Sequence, residues 1–399
     1  MKDLSERVLA DESATVKLGN LAKLRRATGE KIVSFALGEP SDNTPQFALN
    51  AAKDAIDGQH TKYTFTQGTI EVRQAVSQWM KDCYGLDYDF GYIVISNGAK
   101  HSIFNAILSI VDIDEEVIIP SPYWVSYPNI VSAAGAKPII VDTSKTGFKL
   151  TAESLENTIT KRTKLVIINT PNNPSGVVYS KFELEELAKI IIEYDLYVLA
   201  DEIYGNFVYD GVHTSVAGIA GLKERTILVG GMSKDFAMTG LRIGWSLANA
   251  EITKACTVMQ SHTTSCANSI AQETTRAVLC DTKKAKDYIA SMLKQYDEHR
   301  LLMMEGLDKL SMEYVMPKGA FYVLCSIKQF VGQIAYDEEI DTAATFANLL
   351  LDKVGLVVVP CESSGIENYI RLSYTCSKRD IIDGIKKMET FINEIEMKV

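Results

Sequence analysis

The chain has 399 residues, 46% of them hydrophobic, so it can bury a large core and is long enough for roughly two or three domains. Its formal net charge of -10 argues against nucleic acid or an anionic membrane as the main partner, because both require a basic surface. The first residues lack the apolar core of a signal peptide and no apolar run approaches a membrane span, so we expect a cytoplasmic protein.

The N-terminal residues are typical of an arm rather than a domain. The pattern predicts an amphipathic helix from about Ser13 to Thr28, a strand over Lys31–Ala36 and a turn over Leu37–Pro40. We therefore assign residues 1–44 to an N-terminal arm and to part of a small domain.

From about Pro45, helices alternate with short apolar runs, as in an α/β sheet with crossover helices. The hydrophobicity within each run is continuous, so both faces of the sheet should be covered. Seven runs are predicted strands: Tyr92–Ser96, Glu116–Pro120, Pro138–Val141, Lys164–Asn169, Leu196–Asp201, Thr226–Val229 and Ile243–Leu247. They predict a large cofactor-binding domain over residues 45–285, with one mostly parallel seven-stranded sheet that binds ligands at the carboxyl ends of its strands.

A second kind of region follows a long helical pattern that has no Pro or Gly from Glu251 to Glu305. Its predicted strands are Ala320–Cys325, Leu356–Val359 and Tyr369–Ser373, and its predicted helices lie near Thr342–Lys353 and Arg379–Glu396. This pattern indicates a smaller α+β domain over residues 286–399. We expect the two domains to meet along a long helix and to share a cleft.

The stretch Gly230–Trp245 places a lysine between two predicted buried strands. Burial disfavours the ammonium form, so the pKa of Lys234 should fall toward that of an amine that can form a Schiff base. Arg242 follows at a spacing that lets a turn bring its guanidinium near the lysine, where it could bind a phosphate. The pair suggests pyridoxal phosphate, although a surface lysine and a strand-capping arginine explain these two residues equally well.

Asp201 and Tyr204 follow the end of another predicted strand. A buried carboxylate at a strand end could keep the pyridine nitrogen of a cofactor protonated, but Asp is also a favoured helix N-cap. The Tyr204 phenol could donate to the ring oxygen of the cofactor, or it could be an ordinary packed aromatic residue.

Two more strand ends carry turn sequences. Asn173, within Pro171–Gly176, could donate to the same ring oxygen, or the segment is simply a turn. Asn97–His101 precedes a predicted helix over about Lys100–Val111, and the first amides of that helix could bind a phosphate. This segment lacks the P-loop and dinucleotide patterns, and a plain strand-to-helix turn is the alternative.

Trp124 and Arg371 are the remaining candidates from the residues alone. Trp124 lies just beyond a strand end and could stack on a flat cofactor, or it could pack in the core or at an interface. Arg371 lies inside a predicted strand, so it should be half buried and should need a carboxylate. That carboxylate belongs either to an internal ion pair or to a substrate. The seven cysteines and five histidines are scattered, which favours reduced thiols and argues against a metal site.

Taken together, these residues resemble the class I aminotransferases, pyridoxal-phosphate enzymes of fold type I, over nearly the whole chain. The matching segments are Gly38–Pro40, Tyr63 with Gln67–Gly68, Asn97–Lys100, Pro122–Trp124, Asn173–Gly176, Asp201–Tyr204, Ser233–Lys234, Thr239–Arg242, Gly319–Tyr322 and Arg371. The resemblance implies that Lys234 forms the imine with the cofactor and moves the proton at the substrate α-carbon. It also implies that Asp201 holds the pyridinium proton and that Asn173 and Tyr204 bond the ring oxygen.

The same resemblance assigns the binding residues. Trp124 would stack on the ring, Arg371 would bind the substrate α-carboxylate, and Gly38 would close over the substrate. The phosphate and substrate region would be surrounded by Gly98, Ala99, Lys100, Ser233 and Arg242. Tyr63 would reach the phosphate of the neighbouring subunit, so a homodimer is implied.

The implied activity is transfer of an amino group from an L-amino acid to a 2-oxo acid such as 2-oxoglutarate. Lys100, with Ser13 and Thr15, resembles the arrangement of the aspartate-type subgroup, so aspartate is the favoured donor. A solvated Lys100 would leave aromatic amino acids or alanine as donors. A carbon-sulfur β-lyase on the same fold is a further alternative, whereas a non-catalytic effector-binding module is disfavoured because no helix-turn-helix region precedes Ser13.

Two departures from the family pattern concern the site. Gly231 stands where many relatives carry a hydroxyl for the phosphate, so one contact is expected to be missing. Pro360–Gly365, which contains Cys361, replaces a stretch that usually begins Pro-Gly, and this puts the local loop shape in doubt.

Overall fold

The computed structural model describes residues 14–396, and within that range no helix is long and apolar enough to cross a membrane. The N-terminal segment consists of α1 (Ala14–Ala27) and the short strand β1 (Val33–Ser34), which pairs in parallel with Leu356–Val357. The predicted helix and strand are both present, although the strand is shorter than expected. Ser13 and the side chain of Thr15 lie outside the described part of the chain.

A seven-stranded sheet forms the centre of the next region. Its strands are β2 (Ile93–Ser96), β3 (Glu116–Ser121), β4 (Lys137–Asp142), β5 (Thr163–Asn169), β6 (Tyr197–Asp201), β7 (Thr226–Gly231) and β8 (Gly244–Leu247). The spatial order is β2-β8-β7-β6-β5-β3-β4, and only β8 runs against its neighbours. The predicted mostly parallel sheet and all of its predicted strands are therefore confirmed.

Helices cover both faces of this sheet. They are α2 (Gln46–Asp57), α3 (Ile70–Tyr84), α4 (Ala99–Ile110), α5 (Ser126–Ala133), α6 (Ala152–Glu156), α7 (Lys181–Glu193), α8 (Met232–Asp235), α9 (Ala250–Thr263) and α10 (Ser269–Cys280). Successive residues of β5 face opposite sides, so Val166 packs in the core that contains α3 and α7, whereas Ile167 packs in the core that contains α4 and α9. Burial on both faces explains why the strand sequences are continuously apolar.

A helix of 28 residues, α11 (Thr282–Lys309), joins the sheet region to the C-terminal region. Ile289 of this helix packs in the core of the sheet region, and Tyr296 packs in the core of the C-terminal region. This is the long helix that the sequence predicts between the two domains. The proposed domain boundary at residues 285 and 286 falls inside α11, and the division of the chain into domains stays a prediction.

The C-terminal region combines short strands with two helices. The strands are β9 (Tyr314–Val315), β10 (Tyr322–Ser326), β11 (Ile334–Ala335), β12 (Glu338–Glu339), β13 (Leu356–Val357), β14 (Val359–Pro360), β15 (Tyr369–Ser373) and β16 (Ile395–Glu396), and the helices are α12 (Ala343–Leu349) and α13 (Lys378–Ile392). Four of the strands form an antiparallel sheet in the order β14-β15-β10-β9. The α+β character predicted for this region is thus present.

Two predicted elements of this region have the wrong bounds. The predicted strand Leu356–Val359 is divided into β13 and β14, because Val357 pairs with β1 whereas Val359 pairs with β15. The predicted helix to Glu396 ends instead at Ile392, because Ile395–Glu396 pairs with β11. In both cases a tertiary strand pairing outweighs the local pattern.

Candidate active site

A cavity of about 270 Å³ lies at the carboxyl ends of the parallel strands, between the large sheet and β15. Its lining includes most of the candidate residues from the sequence: Gly38, Ala99, Lys100, Trp124, Asn173, Asp201, Tyr204, Ser233, Lys234, Arg242 and Arg371. Gly98 lies directly beside it, in contact with Arg242. Among the site candidates that the structure describes, Tyr63 does not lie at this cavity.

Lys234 enters the cavity from α8, the short helix that begins directly after β7. Its Nζ donates a hydrogen bond to the backbone oxygen of Gly38 at 2.6 Å, which joins the N-terminal segment to the site. Burial lowers the pKa of Lys234 to about 8, an effect that Glu39 opposes and that Arg371 and Arg242 reinforce. About a tenth of the amine is therefore neutral near pH 7, far more than for an ordinary lysine, and the neutral amine is the nucleophile.

Asp201 is the last residue of β6 and its side chain is buried. One carboxyl oxygen accepts a hydrogen bond from the Tyr127 hydroxyl at 2.6 Å, and the other accepts one from the backbone N–H of Ile203 at 3.2 Å. Burial raises the pKa of Asp201, while these two hydrogen bonds oppose the rise. A turn, not a helix, follows this residue, so the helix-capping alternative is wrong.

Tyr204 faces the cavity from the turn after β6. Its hydroxyl lies 3.1 Å from the Tyr322 hydroxyl, and the two rings meet edge to face. Burial raises the pKa of Tyr204 well above its usual value, so the phenol keeps its proton and can donate it in a hydrogen bond.

Arg371 projects from β15 and is only 6% exposed. It donates one hydrogen bond to the side-chain oxygen of Asn173 and one to the backbone oxygen of Ala36, each at 3.1 Å. Its guanidinium also lies 4.4 Å from the centre of the Tyr322 ring. None of these partners within residues 14–396 is a carboxylate, and Nε has no partner there. The internal ion-pair alternative for Arg371 therefore has no support in the described chain.

Gly98 and Arg242 approach each other closely at the cavity. Gly98 has a φ of +91°, and a Cβ there would lie 2.4 Å from Nη2 of Arg242, so only glycine allows this approach. Helix α4 begins at the next residue, and its first amides face the same region as the guanidinium. Amides at a helix N-terminus beside an arginine form a suitable site for a phosphate.

Lys100 and Trp124 form one wall of the cavity. The Lys100 ammonium lies 4.8 Å from the centre of the Trp124 ring, and that ring meets Tyr127 edge to face at 5.3 Å. Burial lowers the pKa of Lys100, and the positive charge of Arg242 adds to this effect. Lys100 is an exposed residue as a whole, and its ammonium contacts an aromatic ring at the edge of the site.

Tyr63 lies in a separate shallow hollow of the surface, near α3. Its side chain is 87% exposed, and that of Phe65 is 68% exposed. A single chain therefore does not bring Tyr63 to the cavity, and its predicted contact with a neighbouring subunit stays a prediction.

Three site residues were not identified from the sequence. Tyr127 holds Asp201, Tyr322 contacts both Tyr204 and Arg371, and Asn169 accepts a hydrogen bond from the backbone N–H of Asn173 at 2.9 Å. Asn169 ends a buried strand directly beside Asp201, which was an available signal. Tyr322 lies in a segment that matches the family pattern, but no role was assigned to it, and Tyr127 gave no signal, because the sequence does not separate a tyrosine that faces a ligand from one that packs in the core.

The two departures from the family pattern have structural explanations. A Cβ at position 231 would lie 3.0 Å from both Gly244 Cα and the Ile243 oxygen, so a side chain there would require these backbone neighbours to shift. The segment around Cys361 lines the cavity, and Gly365 packs so closely that a Cβ there would lie 2.6 Å from the Tyr123 ring. This loop therefore shapes one wall of the substrate region.

Comparisons with known proteins agree with this geometry. The family model "Aminotransferase class I and II" matches residues 30–387. An aspartate aminotransferase of Rhizobium meliloti (strain 1021) is 35% identical over 382 residues, which cover 94% of this chain and 92% of that protein. The structure of the Thermus thermophilus aspartate aminotransferase with maleate superposes with a TM-score of 0.93 at 35% identity, covering 98% of this chain and 100% of that one.

An aromatic aminotransferase from Pyrococcus horikoshii OT3 also superposes, with a TM-score of 0.87 at 33% identity over 94% of this chain and 99% of that one. Proteins that share this fold are therefore named for different substrates, aspartate in one case and aromatic compounds in the other. The family match covers most of the chain, and the relatives align over nearly their full lengths. This chain belongs to the class I and II aminotransferase family.

Proposed function

We propose that this chain is a pyridoxal-phosphate-dependent aminotransferase that moves the amino group of an L-amino acid, aspartate first, to a 2-oxo acid such as 2-oxoglutarate. One observation supports this function most strongly. The buried guanidinium of Arg371, which has no carboxylate partner in the described chain, faces the same cavity as the partly buried Lys234 amine. A buried cation without a counter-charge favours an anionic ligand, and every α-amino acid and 2-oxo acid carries the required carboxylate.

The residues at the cavity fit the cofactor. Asp201 offers a buried carboxyl at the sheet edge, where it could hold the proton of a pyridine nitrogen. The amides that begin α4, together with Arg242, could bind the phosphate, and the absence of a side chain at Gly98 leaves room for that approach. Trp124 offers an aromatic face for the ring.

Bound pyridoxal phosphate supplies an aldehyde that captures amines and a ring that takes up the electron pair released at the substrate α-carbon. The chain supplies the remaining functions. The Lys234 amine, whose pKa is lowered to about 8 by burial, can take a proton from the α-carbon and return one. Arg371 would fix the α-carboxylate, and the Tyr204 hydroxyl and the Asn173 amide would donate to the ring oxygen.

The preference for aspartate is supported by Lys100 and by the names of the relatives. The Lys100 ammonium lies at the wall of the cavity, where it could meet the side-chain carboxylate of a dicarboxylic substrate. Aromatic substrates are the second candidate, because Ile103, Tyr123 and Val359 also line the cavity and offer apolar contacts.

A panel of amino donors with 2-oxoglutarate tests this preference. We expect kcat/KM to be highest for aspartate, and we expect Lys100→Met to lower it about tenfold for aspartate while leaving it within about twofold for phenylalanine. Methionine keeps the length of the side chain and removes only the charge. A higher kcat/KM for phenylalanine than for aspartate in the unmodified enzyme would contradict the aspartate preference.

The reaction class needs a separate measurement. With an amino acid and no 2-oxo acid, an aminotransferase should stop after about one turnover per active site, because the cofactor then holds the amino group. Continued release of pyruvate from a substrate with a β-leaving group would instead identify a carbon-sulfur β-lyase.

We also infer a homodimer in the cytoplasm. The exposed aromatic side chains of Tyr63 and Phe65 are suited to a subunit interface, and a second copy could bring Tyr63 to the phosphate region of its partner. All seven cysteines are unpaired, which favours a reducing compartment. Sedimentation of the purified protein at micromolar concentration tests the dimer, and a stable monomer would contradict it.

A further inference from the structure

A second cavity lies behind the helix that carries Lys234. Its volume is about 20 Å³, measured as the space that the centre of a water molecule can occupy. This volume is enough for one water. Asp235, Trp245, Tyr84 and Glu202 contribute polar side chains to its lining. Ile203 lines both this cavity and the active-site cavity, so its side chain lies in the wall between them.

Two polar atoms at this small cavity have no hydrogen-bond partner among the described residues. They are Oδ1 of Asp235, which is 6% exposed, and Nε1 of Trp245, which is 3% exposed. An indole N–H can only donate, whereas a carboxyl oxygen can accept or, when protonated, donate. A single water could satisfy both atoms, and a buried water typically makes about three hydrogen bonds. The Tyr84 phenol at the same cavity offers the third partner.

The other charged group at the cavity is already satisfied. The Glu202 carboxylate lies 2.7 Å from the His213 ring nitrogen and accepts hydrogen bonds from the Ser215 hydroxyl and the Val216 amide. Asp235 differs, because only one of its oxygens has a partner and burial raises its pKa to about 7. A carboxyl that is about half neutral near pH 7 suits a site where its hydrogen-bond partner in the described chain is a neutral amide.

Asp235 joins the lysine helix to two neighbouring elements. It is the last residue of α8 and directly follows Lys234. Its Oδ2 accepts a hydrogen bond at 2.7 Å from Asn206, which lies in the segment after β6 that also carries Tyr204. On the other side, Trp245 of β8 is paired with Gly230 of β7, and a Cβ at Gly230 would lie 2.6 Å from the indole nitrogen.

We propose that the small cavity binds one ordered water between Asp235 and Trp245, and that Asp235 is thereby a positioning residue for the Lys234 amine. The water would link Trp245 of β8 to Asp235 of the lysine helix. The hydrogen bond from Asn206 to Asp235 already links that helix to the segment after β6. Because Asp235 does not reach the active-site cavity, it would act only through the placement of Lys234. The kinetic part of this inference rests on the proposed function, whereas the water site does not.

The water site is tested by crystal structures of the holoenzyme and of its Trp245→Phe variant at a resolution that shows ordered solvent. The expected result is one water within hydrogen-bond distance of Asp235 Oδ1 and Trp245 Nε1 in the unmodified protein. Phenylalanine keeps an aromatic ring but removes the N–H donor, so this water should be lost or displaced in the variant. A dry cavity in the unmodified protein would overturn the site, whatever reaction the enzyme catalyses.

The positioning role is tested by Asp235→Ala and Asp235→Asn. We expect the alanine variant to lower kcat about tenfold with the KM for the amino donor within about twofold, because misplacing the amine affects the reaction more than substrate binding. The pH at which the absorbance of the lysine-bound cofactor changes should also shift. Asparagine is neutral and similar in shape to aspartate, so the asparagine variant should resemble the unmodified enzyme. Its kcat should lie within about threefold, and the pH of its absorbance change within a few tenths of a unit, of the unmodified values.

Equal kcat and equal absorbance profiles in the alanine variant and the unmodified enzyme would overturn the positioning role. If the alanine variant does not fold, the Trp245→Phe holoenzyme gives the same test, because it removes the water and leaves Asp235 in place. An unchanged kcat and an unchanged absorbance profile in the Trp245→Phe variant would likewise overturn the positioning role of Asp235. Absence of transamination in the unmodified enzyme would refute the proposed function and leave the crystallographic test of the water site intact.

Discussion

Arg300 and Arg371 are buried to nearly the same extent, at 5% and 6% exposure, but their surroundings differ. The Arg300 guanidinium contacts two carboxylates, with Asp297 at 2.7 Å and Asp210 at 3.3 Å, and it donates to the Pro317 oxygen at 3.0 Å. The Arg371 guanidinium has only neutral partners in the described chain. Each also lies over a tyrosine ring, at 4.8 Å for Arg300 and 4.4 Å for Arg371.

The difference separates a structural arginine from a ligand-binding one. Burying a cation is costly unless a counter-charge and hydrogen bonds compensate, and the chain itself provides this compensation for Arg300. Arg371 is held in place by neutral groups, so its charge remains available to an anion that enters the cavity. The partly buried Lys234 amine, which faces the same cavity, belongs with Arg371 in this comparison.

The largest effect is expected from Lys234→Ala. Removing the amine removes both the covalent attachment of the cofactor and the proton carrier, so turnover should fall by more than about a thousandfold. The thermal unfolding curve should still show one cooperative transition, because the cavity tolerates a smaller side chain. Steady-state rates and circular dichroism measure the two properties. Transamination at the normal rate by this variant would refute the role of Lys234.

Arg371→Ala comes next. It should raise the KM for every amino donor about a hundredfold, because each donor loses the same interaction with its α-carboxylate. The variant loses two hydrogen bonds and the contacts of a buried stem, but it also removes a buried charge without a carboxylate partner in the described chain, so its free energy of unfolding should fall less than that of Arg300→Ala. Arg371→Lys is the matched control: it keeps the charge but loses the paired N–H geometry, and its KM should fall between those of the other two enzymes. An unchanged KM in the alanine variant would remove Arg371 from carboxylate binding.

Arg300→Ala should give the opposite pattern. The loss of its hydrogen bonds and of the contacts of its buried stem should lower the free energy of unfolding by about 2 kcal/mol, while KM for amino donors stays within about twofold. Chemical denaturation and the same kinetic assay measure both quantities. If Arg300→Ala instead raised KM as much as Arg371→Ala, the distinction between the two arginines would fail.

The smallest effect concerns the pH dependence of cofactor capture by the apoenzyme. Only the neutral amine attacks an aldehyde, and burial lowers the pKa of Lys234 to about 8. The capture rate should therefore rise about tenfold between about pH 7 and pH 9 and then level off. A lysine with an ordinary pKa would instead give a rate that still rises at about pH 10. Absorbance after rapid mixing of apoenzyme with pyridoxal phosphate distinguishes the two cases.

The sequence predicted the large sheet well, because fully buried strands have a strong and local apolar signal. It also located the residues that follow the strand ends, since the carboxyl ends of parallel strands meet at one edge. Asp201, Asn173 and Lys234 come to the cavity in this way. The bounds of the predicted strand Leu356–Val359 and of the last helix were less accurate, because they depend on pairing with distant segments.

Other features could not be read from the sequence, because they depend on tertiary contacts. Arg371 was expected to be half buried with a carboxylate, but it is nearly fully buried among neutral partners that come from three separate parts of the chain. Tyr127, which bonds Asp201, comes from a helix 74 residues away in sequence. The contact of Tyr63 with a partner subunit stays a prediction, because it depends on a second copy of the chain.

The most direct measurement is borohydride reduction of the cofactor-loaded enzyme, followed by mass spectrometry of its peptides. Reduction makes the bond between a lysine amine and the cofactor permanent, so the modified residue can be identified. We predict that the peptide containing Lys234 carries the cofactor at that residue. A colourless protein, or a label on any other lysine with Lys234 unmodified, would contradict the assignment of this cavity as the active site.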